Sequence, residues 1–488
     1  MKPFNLFKNF AILLMMLPAA GIFAQKNKGG YEIKIRVNGI HDTLCYLANY
    51  YGDKQYLKDS TRADKNGWLV FKGDNELEGG IYLVVLPGRK YFEFLAVDPF
   101  FTLETDTSNY ITNMKVKDSE ENVMFFEYLN YITPRGLEME RLRKRFEKNK
   151  DNPDSSAAIK ARTAIVDKEV VEYKKNFIVK NPQTLLSKIF RAMQEVEMPE
   201  IPRLANGRKD SIAEFNYYKS HFLDNIDFSD DRLIRTPIYH NKIKTYMVNL
   251  TLQIPDSINK EADYLIEKAR ASKELFKYTV WFVTNTYETS NIMGMDAVFV
   301  HMVDKYYNTN QAYWVDSVTQ YKISERGKTL KPLLIGKKSP NLTLKDSLGR
   351  FQTLHMVNAK YTILVFWDPD CSHCKKEIPK IKDLYDQVKG KGVQVYAVCT
   401  EVEIDKWKKF IREHKLDWIN VADPTLQTNF RKIFDITSTP VIYFLDDKKN
   451  IVAKKLAYDQ VGELLERNLN IKLNIIRDPK DKEKDKAH

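Results

Sequence analysis

The stretch Phe366-Trp367-Asp368-Pro369-Asp370-Cys371-Ser372-His373-Cys374 constrains this chain more than any other. Ahead of it, Tyr361 to Val365 (YTILV) run without interruption into Phe366 and Trp367, the composition of a strand buried on both faces in a parallel sheet. Behind it, from Lys375, helix formers carry apolar residues at Ile378, Ile381, Leu384 and Val388, one face of a helix. The two cysteines therefore stand where a strand ends and a helix begins. The junction is read as part of an α/β unit.

The spacing also selects a chemistry. Unpaired amides and the positive dipole end of a helix favour an anion, so Cys371, at the first turn, is expected to be the acidic, exposed and attacking thiol. Cys374, one turn inside, is expected to be shielded and to resolve. Two intervening residues bring the sulfurs within bonding distance, so the pair can cycle between dithiol and disulfide. The competing reading is half of a zinc site. Zinc takes four ligands, usually from a second such pair, and the only other cysteines are Cys45 and Cys399. The redox reading is preferred, with no metal and no cofactor expected. His41 and Cys45 are read as structural, and Cys399, in line with Val393, Val395 and Ala397, as a core thiol.

At 488 residues the chain exceeds a single core. Its net charge of +12 is distributed along the chain, without the basic stripe and interleaved aromatics of a nucleic-acid surface. Residues 1–24 read as a secretory signal peptide: Lys2 and Lys8, an apolar run from Phe10 to Leu17, Pro18, and Ile22-Phe23-Ala24 before Gln25. The run is short for a bilayer span. An exported protein with four cysteines is no disulfide scaffold, which leaves the close pair as a working one. Residues 477–488 hold five basic and four acidic residues without core formers and read as a disordered tail.

Between these ends the period of the apolar pattern changes twice. Residues 25–118 hold nine glycines against four in residues 119–330. Tyr31 to Val37 alternates with period two before Asn38-Gly39, and further strand-like runs are Thr43 to Tyr50, Trp68 to Phe71, Ile81 to Leu86 and Tyr91 to Val97. Residues 25–118 are therefore read as an antiparallel β-sandwich domain. Over 119–330 the steps become helical: Ile258, Ala262, Leu265, Ala269; Phe276, Val280, Val283, Tyr287; Ile292, Met295, Phe299, Met302, Tyr306. This is read as an all-α domain, its prolines falling largely between helices and the Met and aromatic stripe belonging to its core. Residues 331–476 alternate strands with helices, opening on a hairpin with its turn at Gly349. The fold class expected is thus multidomain: β-sandwich, central helices, C-terminal α/β fold.

The C-terminal third resembles the thioredoxin fold, specifically the TlpA/ResA type of exported disulfide reductase. Trp367 stands four before Cys371, Pro379 eight after it, and Thr439-Pro440 precedes the apolar run Val441 to Leu445, where that family places a cis-proline facing the cysteines. The resemblance implies an extra helical insertion between Cys374 and Pro440. It further implies that Glu377 accepts the proton of Cys374 during resolution, with Cys371, Cys374, Glu377 and Pro440 as catalytic residues and Trp367, Ser372, His373 and Thr439 as their surroundings. The buried aspartate of ordinary thioredoxins is Val365 here. Peroxiredoxins, which share the fold, need a threonine and a proline where Asp368 and Leu364 stand, so peroxidase activity is not expected. His373 is similar to the histidine of oxidising relatives such as DsbA, where it favours the thiolate, whereas Asp368 and Asp370 oppose one. The glycine-marked stretch Asp59-Ser60-Thr61, Asn66-Gly67 and Gly79-Gly80 resembles the β domain of unknown function ahead of thioredoxin-like domains in exported Gram-negative proteins.

These readings together predict a periplasmic thiol-disulfide oxidoreductase that reduces disulfides in exported proteins and draws electrons from a membrane thiol carrier of the DsbD type. The alternatives are an oxidase or isomerase, and an envelope partner-binding protein with a subsidiary redox domain.

Overall fold

Alternating burial builds the first part of the chain. In the computed structural model, which describes residues 29–475, β1 (Tyr31–Asn38) buries Tyr31, Ile33, Ile35 and Val37 and turns Lys34 and Asn38 outward. It is followed by β2 (Leu44–Tyr51), β3 (Lys54–Arg62), β4 (Trp68–Gly73), β5 (Gly80–Val85), β6 (Tyr91–Ala96), β7 (Phe100–Asp106) and β8 (Lys115–Lys117). Two four-stranded sheets result, ordered β4-β1-β7-β8 and β3-β2-β5-β6. The expected antiparallel sandwich is corrected in one respect: β1 and β7 pair in parallel, Ile33 opposite Phe101 and Ile35 opposite Leu103. The expected signal peptide and charged tail lie outside the described residues.

Helix α1 (Glu120–Asn149) starts at Ser119, whose side chain accepts the amide of Asn122. Asn122, fully buried, both donates to and accepts from the backbone of Leu95 at 2.8 Å. It thereby satisfies the outer backbone groups of β6, an edge strand. Pro134 sits inside α1, an exception to the prolines that fall between helices, whereas Pro153 opens α2 (Pro153–Lys180). Tyr131 of α1 stacks on Tyr173 of α2, ring centres 4.1 Å apart.

By its internal contacts the chain forms two units. One takes the described residues up to Asn49, Gln55–Tyr173 and Thr184–Leu186, the other Tyr50–Lys54, Lys174–Gln183 and the described residues from Ser187 onward. The helical stretch is thus shared between them. The second unit holds most of α3 (Leu185–Met193), then α4 (Ser211–His221), α5 (Pro237–Lys244), α6 (Pro255–Ala269), α7 (Lys273–Glu288), α8 (Asp296–Met302) and α9 (Ser317–Leu330). The predicted stripes on α6 and α7 are buried. In the third stripe Met295, Phe299, Met302 and Tyr306 are core, whereas Ile292 lies outside, before α8 begins. No described helix is long and apolar enough to cross a membrane.

The remainder of this unit is a seven-stranded sheet. Its elements are β9 (Thr343–Asp346), β10 (Phe351–Thr353), β11 (Tyr361–Trp367), α10 (Ser372–Val388), β12 (Val393–Cys399), α11 (Ile404–Glu413), β13 (Ile419–Ala422), α12 (Phe430–Ile433), β14 (Val441–Leu445), β15 (Ile451–Lys454) and α13 (Tyr458–Leu469). The order is β10-β9-β13-β12-β11-β14-β15, with β11 to β13 parallel and β14 antiparallel to β11. β11 is covered on both faces, as its unbroken apolar run requires. Ile363, Val365 and Trp367 pack under α10, α11 and α13, and Leu364 and Phe366 pack with Phe430, Phe434 and Tyr443. Val365, in place of a buried aspartate, is plain core.

Candidate active site

The end of β11 delivers the pair. After Trp367 the chain turns through Asp368-Pro369-Asp370, held by the Asp370 amide donating to Asp368 Oδ1 (2.7 Å) and the Cys371 amide to Asp368 O (3.2 Å). Cys371 is the residue flanking the N-terminus of α10, with extended backbone, and its carbonyl already accepts the amide of Lys375 at 3.0 Å. Cys374 lies one turn inside and is fully buried, while Cys371 is half-buried. Both are free thiols.

Across from the pair stands the loop before β14. Thr439 and Pro440 are joined by a cis peptide bond, and the Cys371 thiol donates to Thr439 O at 3.3 Å. The Asp368 amide donates to Cys374 Sγ at 3.5 Å. Burial by itself would push the Cys371 thiol up. The amides of Cys374 and His373 and the Thr439 side chain, all favouring the thiolate, outweigh it and hold the group below its ordinary value. Burial dominates for Cys374, and the neighbouring Cys371 adds to it; despite the Asp368 amide and Thr439, this thiol is pushed up to about 12. The asymmetry expected from the helix terminus is therefore present in the geometry.

The surrounding residues divide into those that touch the pair and those that support it. Trp367 belongs to the core beneath the site, its ring against Phe410 with centres 4.9 Å apart, its carbonyl accepting the Thr400 amide at 2.8 Å. Ser372 and His373 are exposed. Pro379 is inside α10. The opposing influence expected of Asp370 is offset: Lys406 of α11 reaches its carboxylate at 2.8 Å and Lys375 at 3.9 Å, and these cations, Lys406 first, hold the Asp370 carboxyl below its usual range. Glu377 reaches the start of α13. Its Oε2 accepts the Tyr458 amide at 3.2 Å and its Oε1 lies 3.5 Å from Lys380 Nζ. It thus satisfies the N-terminus of α13, where the flanking residue Ala457 has no side-chain oxygen.

Cys399, the last residue of β12, pairs in register with Trp367 and is buried, its thiol pushed up to about 12 by desolvation. Cys45 is buried and His41 exposed in the other unit. Among the described residues no group of three His, Cys, Asp or Glu side chains could hold a metal ion. Residues that the motif alone did not mark are Lys406, Thr400 and Arg431, whose guanidinium donates to Thr400 O. Thr400 follows β12, which returns beside β11, while Lys406 comes from α11 and Arg431 from α12.

Two families match in tandem: a domain of unknown function, DUF5106, over residues 145–331, and the AhpC/TSA family over residues 335–454. The thiol-disulfide oxidoreductase ResA of a Bacillus cereus strain is 30% identical over 132 residues, which are 27% of this chain and 75% of that protein. Among solved structures, a domain of a possible thiol-disulfide isomerase from Cytophaga hutchinsonii ATCC 33406 is 44% identical, covering 28% of this chain and 95% of that one with a TM-score of 0.27. A thioredoxin-like protein from Bacteroides caccae ATCC 43185 is 20% identical, covering 56% of this chain and 98% of that one with a TM-score of 0.44. Through its C-terminal α/β fold the chain belongs to the ResA/TlpA-type thiol-disulfide oxidoreductases of the thioredoxin-like AhpC/TSA family, with a DUF5106 helical region before it.

Proposed function

We propose that this oxidoreductase works as a disulfide reductase on exported proteins in the periplasm, through Cys371 and Cys374. The Cys371 thiolate attacks one sulfur of a substrate disulfide; the substrate S–S bond breaks, a mixed disulfide forms, and one substrate thiolate leaves and takes a proton. Cys374, deprotonated in turn, attacks Cys371 Sγ; the Cys371–Cys374 bond forms and the second substrate thiol departs. Two electrons pass from the dithiol to the substrate, and a membrane dithiol carrier of the DsbD type restores them, because a periplasm is kept oxidising.

The observation that carries this division of labour is the contrast between a half-buried Cys371, held below the ordinary thiol value, and a buried Cys374 raised to about 12. A thiol raised that far needs a base at resolution. Glu377, three residues beyond Cys374 on α10, is assigned that role on the resemblance to ResA-type reductases; its carboxylate accepts the Tyr458 amide at 3.2 Å. Glu377→Gln is expected to slow release of the mixed disulfide more than its formation. The reducing direction is tested by the potential of the pair. A value nearer the thioredoxin end, about −270 mV, supports reduction, and one above about −180 mV, where isomerases lie, refutes it. The oxidase reading has one observation in its favour, the amides that stabilise the Cys371 thiolate and hence the reduced protein. The same measurement decides between them.

A further inference from the structure

The loop that carries Thr439 is held from outside the thioredoxin-like fold. After α12 the chain turns at Asp435 in a left-handed conformation (φ 53), which Cβ sterics disfavour. The Asp435 side chain is 12% exposed, and Arg326 of α9 meets it, Nη1 to Oδ1 at 2.8 Å. The same guanidinium reaches Glu288 of α7 through Nε at 3.2 Å, so Arg326 is itself fixed between two helices and the loop. Beside it Lys432 approaches Glu325 at 3.4 Å.

A second attachment lies one strand away. Lys454 of β15 is buried, ion-paired with Asp296 at the start of α8, and donates to Leu333 O at 2.6 Å. Lys454 is the register partner of Tyr443, whose hydroxyl donates to Phe434 O, the residue before Asp435, at 3.0 Å. Ile436, immediately after Asp435, is core and its amide donates to Arg431 O at 2.7 Å. Only the exposed Thr437 and Ser438 then separate this anchored point from Thr439, the residue that meets the Cys371 thiol.

We propose that Arg326 is a positioning residue for the redox pair: by holding Asp435 it fixes where Thr439 stands against Cys371, which makes α9 of the DUF5106 region part of the catalytic device. The inference rests on Cys371 being the attacking thiol. Thr439 meets the Cys371 sulfur through its backbone carbonyl, so a loosened loop shifts the acidity of that thiol and, by displacing the groups around it, slows its attack.

The test uses the full-length, reduced protein and two readouts: the pH midpoint for alkylation of Cys371 by iodoacetamide, and the second-order rate with oxidised glutathione at neutral pH. Arg326→Ala and the isosteric Asp435→Asn are each expected to shift the midpoint in the same direction and to lower the rate about fivefold, with the double variant no worse than either, and Arg326→Lys to recover part of the loss. Lys331→Ala, which removes an ion pair to Asp304 beyond the end of α9, is the control and should leave both readouts unchanged. Unchanged midpoints in the single variants, additive losses in the double one, or an equal shift from Lys331→Ala would each overturn the proposal. If Arg326→Ala does not fold, Asp435→Asn alone decides on the same criteria. The reading on which it rests fails separately, if Cys371→Ala still reacts with oxidised glutathione while Cys374→Ala does not.

Discussion

The two thiols of the pair should differ in reactivity by an amount that the geometry sets. Burial pushes the Cys374 thiol up to about 12, while the amides at the start of α10 hold the Cys371 thiol below that of an ordinary cysteine. At pH 7 the thiolate fraction of Cys374 is then roughly one in 100,000, against roughly one in 100 or more for an ordinary cysteine thiol, which Cys371 exceeds, a ratio above about 1,000. Part of this is returned, because a more basic thiolate is the better nucleophile; with a Brønsted slope of about 0.5, three units restore roughly 30-fold, leaving Cys371 ahead by about 30-fold or more before access is counted. Access widens the gap, since Cys374 is 0% exposed. The assay is brief alkylation of the reduced, folded protein with iodoacetamide at pH 7, followed by peptide mass mapping. Cys371 should be modified at least about 30 times faster than Cys374, and Cys399, also at about 12 and 1% exposed, serves as an internal standard that stays unmodified. Cys374→Ala should accumulate mixed disulfides and Cys371→Ala none. Comparable modification of Cys371 and Cys374, or trapping by both variants, would refute the helix-terminus argument.

Other consequences can be checked separately. Thr439→Val keeps the carbonyl that accepts from the Cys371 thiol but removes the side-chain hydroxyl that favours the thiolate, so the Cys371 titration midpoint, followed by ultraviolet thiolate absorbance, should rise. Asp230 is desolvated, but Arg232 and Lys188 more than compensate and hold its carboxyl at about 2, down from 3.8. A folded value below the unfolded one gives stability that is present above 3.8 and lost as pH falls through about 2. Asp230→Asn should therefore cost about 2 kcal/mol in urea unfolding at pH 7, with the deficit vanishing toward the acid end of that window. Lys454→Ala leaves Asp296 without its partner at a buried contact and should destabilise by about 3–5 kcal/mol, whereas Lys454→Met with Asp296→Leu should recover most of the loss in thermal unfolding.

Much of the local structure could be read from periodicity, because periodicity reports which face of an element is buried. The alternation of Tyr31 to Val37, the helical steps on α6 and α7, and the unbroken apolar run of β11 each appear where expected. So does the cysteine pair at a helix terminus, since a strand end, a turn and helix formers are all contiguous in the chain. Elements without a strong local pattern were not foreseen. β3 is exposed along most of its length and so does not alternate, and β13 and α12 are only four residues each.

What the sequence by itself determined was the set of buried faces and the place of Cys371 and Cys374 between the end of a strand and the start of a helix. Which faces meet was decided by tertiary structure, because pairing partners are chosen by packing between residues far apart in the chain. β1 takes β7 as a parallel neighbour, Lys406 comes from 36 positions beyond Asp370 to offset its charge, and Arg326 reaches Asp435 across 109 positions. None of these partners leaves a mark in its own neighbourhood: a surface lysine or arginine on a helix reads as solvated until the fold brings a carboxylate to it. The asymmetry between the two thiols has both origins. The helix terminus beside Cys371 is a local matter, while the burial that raises Cys374 exists only once α10, β11 and the Thr439 loop close around it.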